Sequence, residues 1–181
     1  MISAHIPVIG FSAYSGTGKT TLLKKIIPLL KKRQLRLAVI KHAHHHFELD
    51  QPGKDSYEIR KSGADRTIIC TTTRMAQITE FPTPEQEPSL QEIINTLNPN
   101  EFDLVLVEGY KHIPFTKIEL HRSELKKPFL HPDDPSIIAI ACDGPLPETS
   151  DIEILDINDV QRIAHFIYHR VYLKPTNLNS S

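Results

Sequence analysis

Apolar runs of strand length alternate along the chain with segments of helical periodicity. Ile6 to Ala13 is short and mostly apolar, and Leu35 to Lys41 repeats the pattern with Leu37, Val39 and Ile40. Between them Leu22, Leu23, Ile26, Ile27 and Leu30 fall on one helical face, which predicts a helix from about Gly18 to Gln34. Pro28 lies inside that span, lacks a backbone donor and predicts a kink. Strand, helix and strand together make one crossover of a parallel sheet, right-handed on general grounds.

Further on, a polar, histidine-rich loop runs from His42 to Gly53, and a short helix is expected from Lys54 to Ser62 with Gly63 at its C-terminal cap. Strands are expected near Arg66 to Thr71 and Met75 to Glu80. The proline-rich stretch Phe81 to Pro88 reads as a loop. Ser89 can cap a helix whose apolar side carries Leu90, Ile93, Ile94 and Leu97. Phe102 to Glu108 is apolar on both faces, as a central strand of a covered parallel sheet requires. Lys117 to His121 alternates, which suggests one solvated face, and Ile137 to Ala141 and Glu153 to Leu155 are further strands. Asn158 is read as the cap of a last helix containing Val160, Ile163, Ala164, Ile167 and Val171, with Gln161 three residues after the cap. The expected fold class is α/β: a doubly wound, mostly parallel sheet flanked by helices, with some antiparallel edge strands. One domain over residues 1–173 is expected, followed by a flexible tail over 174–181.

Composition narrows the function classes. A formal net charge of −1 supplies no overall field toward nucleic acid or an anionic membrane, so neither is expected as a partner. No apolar run approaches the ~18 residues a transmembrane helix needs. Met1 to Pro7 lacks a basic segment followed by an apolar one, so no signal peptide is expected and a cytoplasmic location follows. Cys70 and Cys142 stand far apart at strand edges and read as small buried thiols.

The chemistry gathers after the first strand. Ala13-Tyr14-Ser15-Gly16-Thr17-Gly18-Lys19-Thr20 has the phosphate-loop pattern of a small residue, four others and Gly-Lys-Thr. Gly16 and Gly18 allow the angles that turn successive N–H groups toward phosphates. Lys19 reaches the β- and γ-phosphates, the Thr20 hydroxyl can ligate Mg²⁺, and the helix N-terminus adds its positive end. Ser15, Gly16, Thr17, Gly18, Lys19, Thr20 and Thr21 are therefore the candidate nucleotide-binding residues. A metal carboxylate is needed at the end of a neighbouring strand, and Glu108 ends the central apolar strand just before Gly109. Asp103 begins that strand and is expected on the opposite edge. Lys19 and Glu108 are the candidate catalytic pair, with Thr20, Glu108 and Asp50 as candidate metal ligands.

The loop Lys41-His42-Ala43-His44-His45-His46-Phe47-Glu48-Leu49-Asp50 admits three readings. It can bind a transition metal through its imidazoles, it can be a solvated loop, or Lys41, His42 and Asp50 can meet a triphosphate or its substrate. Lys54 and Asp55 start the next helix at the same crevice. His165 and His169 have helical spacing but no third ligand, and read as surface residues; Lys24, Lys25, Lys31, Lys32 and Arg33 read as a wet helix face. Asp143 follows the strand Ile137 to Ala141, where P-loop GTPases often place an aspartate that reads guanine, since a carboxylate accepts from the N1–H and 2-amino group that adenine lacks.

Gly16 to Leu22, Ile40-Lys41-His42 with His44-His45, Asp50-Gln51-Pro52-Gly53-Lys54-Asp55-Ser56 and Leu106-Val107-Glu108-Gly109 resemble the molybdopterin-guanine dinucleotide biosynthesis protein B (MobB) family. The likeness extends to Asp156-Ile157-Asn158-Asp159-Val160. It implies a GTP- and Mg²⁺-binding accessory protein with weak GTPase activity that works as a homodimer. The partner it implies is the guanylyltransferase that attaches GMP to molybdopterin, with molybdopterin or a molybdoenzyme as further candidates. By position, Ser15 to Thr21 would bind nucleotide, Glu108 would serve the metal, and Lys41 to Asp55 would complete the site. The competing functions are a P-loop small-molecule kinase, for which Arg60, Arg66, Arg74 and Arg122 are the arginines at hand, and a metallochaperone GTPase using the histidine loop. Exposed strands near Met75 and Lys117 are candidate edges for pairing with a second subunit.

Overall fold

In the computed structural model, residues 2–43, 49–81, 83, 87–145 and 152–173 are described. The histidines of the expected metal loop at 44–46, with Glu48, lie outside them, as does the tail from 174. The chain forms two compact units, a larger one of Met1–His42 and Leu90–Ser181 and a smaller one of Ala43–Ser89.

The larger unit is built on six parallel strands: β1 (Val8–Ser12), β2 (Leu37–Lys41), β5 (Leu104–Glu108), β6 (Lys117–His121), β7 (Ile137–Cys142) and β8 (Glu153–Asp156). They stand in the order β2-β5-β1-β6-β7-β8. The register aligns Phe11 and Lys41 with Glu108, so the C-terminal ends of β1, β2 and β5 lie level. The chain leaves β1 toward β2, returns beside β1 as β5, and continues on the other side as β6, so strand order reverses around β1. In open parallel sheets that reversal opens a crevice at the carboxyl ends.

Helix α1 (Lys19–Lys32) buries Leu22, Leu23, Ile26 and Leu30, the face that periodicity predicted, each side chain contributing about 2 kcal/mol by removal from water. It runs unbroken through Pro28. Helix α4 (Val160–Phe166) and a π-helical turn, Ile167–Tyr172, pack against the same sheet face, joined to α1 by the Arg33 guanidinium over the Tyr168 ring at 4.4 Å. Helix α3 (Leu90–Asn95) covers the opposite face through Leu90 and Ile94 against Val105, Val107, Ala38 and Ile40. Helices on both faces explain why β5 is apolar and buried from Leu104 to Val107, up to its terminal Glu108. Asp103 lies at the opposite edge, as expected, in a bidentate pair with Arg36 at 2.7 and 3.0 Å.

Three expectations about β6 and α4 change. All five residues of β6 are buried, so its alternation does not mark a solvated face. Its polar residues are instead satisfied inside: Lys117 by Asp134 at 2.6 Å, Glu119 by the amides of Leu130 and His131, and His121 by the Lys127 carbonyl. β6 also lies between β1 and β7 and offers no edge for pairing. The cap of α4 is Asp159, whose carboxylate accepts from the Arg162 amide at 2.9 Å, while Asn158 is used elsewhere.

The smaller unit carries α2 (Asp55–Lys61) and the antiparallel hairpin β3 (Arg66–Cys70) and β4 (Met75–Thr79), which form a sheet of their own rather than an edge of the parallel one. Its centre is ionic. Arg60 Nη2 meets Asp50 at 2.8 Å, with both side chains nearly fully buried at 5% and 6% exposure, and Nη1 meets Glu80 at 2.5 Å. Cys142 is buried but Cys70 is exposed on the hairpin. Among the described residues no helix is long and apolar enough to cross a membrane.

Candidate functional site

The loop after β1 turns through two left-handed glycines, Gly16 at φ 84° and Gly18 at φ 95°, the second being the residue that opens α1. A side chain at either position would be strained, which explains the glycines. Thr17 Oγ1 donates to the Tyr14 carbonyl at 2.8 Å and pins the turn. The Lys19 ammonium folds back over the loop and donates to the carbonyls of Ala13 at 3.0 Å and Tyr14 at 3.2 Å. Burial lowers its pKa, opposed by the nearby Glu108 carboxylate. A cation held only by neutral carbonyls gains strongly when a phosphate oxygen replaces them.

Level with this loop, Thr20 Oγ1 donates to Glu108 Oε1 at 3.0 Å, and Lys41 Nζ lies 3.6 Å from Glu108 Oε2. The expected strand-end carboxylate, the helix hydroxyl and Lys41 therefore share one place. Hydroxyl and carboxylate are the hard oxygen donors that Mg²⁺ prefers. The backbone behind Glu108 is tightly set: Gly109 has φ 106°, and a Cβ built on it would stand 2.7 Å from His42 Cβ. His42 donates its amide to the Glu108 carbonyl and stacks on Tyr110 at 4.6 Å.

Beside the loop opens a pocket of about 330 Å³. One wall is Gly16, Thr17, Gly18 and Thr21; the other carries Arg122, Glu124 and Asn158. Asp143 is not among its lining residues. Its Oδ1 accepts from the Ser123 amide at 2.9 Å and hydroxyl at 3.0 Å, and its Oδ2 pairs with Arg122 Nη1 at 2.8 Å. The Ser123 amide and the Arg122 guanidinium hold the Asp143 carboxyl down to about 2. Arg122 Nη1 also donates to Asn158 Oδ1 at 2.9 Å. Sequence reasoning singled out Asp143, which pairs with Arg122, but missed Arg122, Glu124 and Asn158 as pocket residues. The available signal was position, since they follow the carboxyl ends of β6 and β8, where ligands bind in such sheets.

The remaining candidates belong to the smaller unit or to no cluster. Asp50 gives Oδ1 to Arg60, while its Oδ2 is buried without a hydrogen-bond partner among the described residues. Among the described residues no group of three or more His, Cys, Asp or Glu side chains is arranged to hold a metal. His165 and His169 stack on each other at 4.1 Å on the last helical segment.

A parallel sheet flanked by helices, with a glycine-turned Gly-Lys-Thr loop between β1 and α1, defines an α/β protein of the P-loop class. The family model for "Molybdopterin guanine dinucleotide synthesis protein B" (MobB) matches residues 8–143. The Escherichia coli (strain K12) "Molybdopterin-guanine dinucleotide biosynthesis adapter protein" is 47% identical over 163 residues, covering 90% of this chain and 91% of that one. The Haemophilus influenzae protein of the same description is 44% identical, covering 90% and 88%. A solved structure of a molybdopterin-guanine biosynthesis protein B superposes with a TM-score of 0.69 at 26% identity, covering 91% of this chain and 99% of that one. Bacillus subtilis MobB, at 22% identity and a TM-score of 0.71 over 92% and 98%, shares the fold. The chain belongs to the MobB family.

Proposed function

We propose that this protein is a GTP-binding adapter in molybdopterin-guanine dinucleotide biosynthesis, acting as a homodimer beside the guanylyltransferase and hydrolysing GTP only slowly. The observation that carries the nucleotide reading is the Thr20–Glu108 pair standing level with the Gly16–Lys19 loop. The adapter role rests on family membership and on the names of the two bacterial relatives, which match nearly end to end.

Ser15 to Gly18 present backbone donors to the phosphates, and Lys19 exchanges the Ala13 and Tyr14 carbonyls for phosphate oxygens. Thr20 and Glu108 are the residues that would hold Mg²⁺, which when bound neutralises charge on the β- and γ-phosphates. Lys41 keeps the Glu108 carboxylate compensated and adds positive charge to the same edge. Asp50 is assigned a structural part, since Arg60 engages it within the smaller unit.

Titration with GTP in Mg²⁺ is the test. Binding should be saturable and lost in Lys19→Ala; equal or tighter binding of ATP would remove the guanine reading. Capture of the guanylyltransferase by the tagged full-length chain, in cells making molybdoenzymes, tests the adapter role, and normal molybdoenzyme activity after deletion would count against it.

A further inference from the structure

The phosphate loop and Glu108 account for a triphosphate but say nothing about the base, and the pocket beside the loop is unassigned. We infer that Arg122 and Glu124, two residues apart at the carboxyl end of β6, read adjacent edges of a guanine held in that pocket, with Asp143 as the residue that positions Arg122. This inference rests on the nucleotide reading above.

Three observations carry it. The pocket adjoins Gly18 and Thr21 at the start of α1, so a base placed there stays connected to phosphates on the loop. Arg122 spends only Nη1 on its neighbours, Asp143 and Asn158; among the described residues Nε and Nη2 have no partner. Glu124 lines the same pocket, is exposed, and its carboxylate makes no hydrogen bond or ion pair among the described residues. A donor fork and an acceptor pair are thus available together, and neither is needed by the fold.

Guanine presents O6 and N7 as adjacent acceptors, the pair that a guanidinium grips with two parallel hydrogen bonds. Its next edge presents N1–H and the 2-amino group, both donors, which suit a carboxylate. Adenine reverses the pattern, setting an amino group against Arg122 and an N1 lone pair against Glu124. Leaving such groups unpaired is how a polar site rejects an isostere. Asp143 would act through Arg122, because both its oxygens are already engaged by Ser123 and Arg122.

The experiment is a competition series on the full chain with Mg²⁺ and GTP, ITP, XTP and ATP, in the unchanged protein and in Glu124→Gln, Arg122→Gln, Asp143→Asn and Lys19→Ala. The unchanged protein should prefer GTP over ITP, which lacks only the 2-amino group, and over ATP by roughly ten- to a hundred-fold. Glu124→Gln should close the GTP–ITP gap and improve XTP, whose 2-oxo group the new amide can donate to, while triphosphate binding through Lys19 persists. Arg122→Gln should bring GTP down toward ATP, and Asp143→Asn should do the same more weakly. Loss of every nucleotide in Lys19→Ala together with base ratios unchanged in Glu124→Gln and Arg122→Gln would overturn this inference and leave the nucleotide reading intact. Absence of any Mg²⁺-nucleotide binding by the unchanged protein would overturn both. Glu124 bears on no contact of the fold, so its variant reads the base even if Arg122→Gln folds poorly.

Discussion

Thr20 and Glu108 are 88 residues apart in sequence, yet the Thr20 hydroxyl donates to the Glu108 carboxylate at 3.0 Å across the carboxyl edge of the sheet. The pair is exposed enough that its hydrogen bond adds little to stability, so its worth is in what the two oxygens can hold together. Glu108→Gln keeps the shape and removes the charge. Its affinity for GTP in Mg²⁺ should fall about tenfold, the scale of one lost charge-assisted contact, while affinity in EDTA stays nearly unchanged. Calorimetric titration in both buffers checks this, and equal losses in the two would take the metal away from Glu108.

The smaller unit is predicted to hang on Arg60. Its guanidinium bridges buried Asp50 and half-exposed Glu80, so removing it leaves a carboxylate uncompensated inside. Arg60→Leu should destabilise that unit by about 3–5 kcal/mol, and adding Asp50→Leu should recover much of the loss, because an apolar pair replaces a broken ionic one. Hydrogen exchange at β3 and β4 amides is the readout. Exchange unaltered by Arg60→Leu would show that the ion pair does not hold the hairpin.

Acid sensitivity should come from Asp103 and Asp143. Hydrogen bonds from Arg36, and for Asp143 from Ser123 and Arg122, lower both from an ordinary 3.8 to about 2. Lowered folded-state values mean the unfolded chain binds protons first. The stabilisation is therefore complete above about pH 4 and lost as pH falls toward 2. Both carboxylates are partly exposed and screened by salt, so the effect is modest. Urea midpoints of the unchanged protein and of Asp103→Asn should differ at pH 6 and converge near pH 2; a constant difference would break the linkage.

What could be read beforehand divides along physical lines. Loop, helix and central strand were legible because Gly16, Gly18, Lys19 and Glu108 combine local backbone needs with periodicity, and both are written in adjacent residues. The polar face of β6 was not. Lys117, Glu119 and His121 alternate as a wetted strand would, and only the distant partners Asp134, Leu130, His131 and Lys127 make them interior. The Asp143 network fails to show for the same reason, since Arg122 and Asn158 reach it from two other strand ends. Asn158 is a good capping type at the head of the last helix, but Asp159 next to it carries that bond. Side-chain chemistry that closes locally can be read from sequence; chemistry completed by another strand needs the fold.

Gly109 is the residue on which the position of Glu108 depends. It follows the carboxylate with φ 106°, a conformation that costs an L-residue, and a methyl group there would stand 2.7 Å from His42 Cβ. His42 cannot retreat freely, because its amide is bonded to the Glu108 carbonyl and its ring lies on Tyr110. Gly109→Ala should therefore cost about 2–4 kcal/mol from strain and overlap combined. It should also shift Glu108 away from Thr20, so the Mg²⁺-dependent part of nucleotide affinity falls with it. Gly63 offers the control: its φ is 109° with nothing within 4 Å of an added Cβ, so Gly63→Ala carries strain without collision. Thermal unfolding and paired titrations with and without Mg²⁺ separate the two effects. Equal stability losses at both glycines, with metal dependence intact in Gly109→Ala, would mean that the His42 contact does not set the carboxylate.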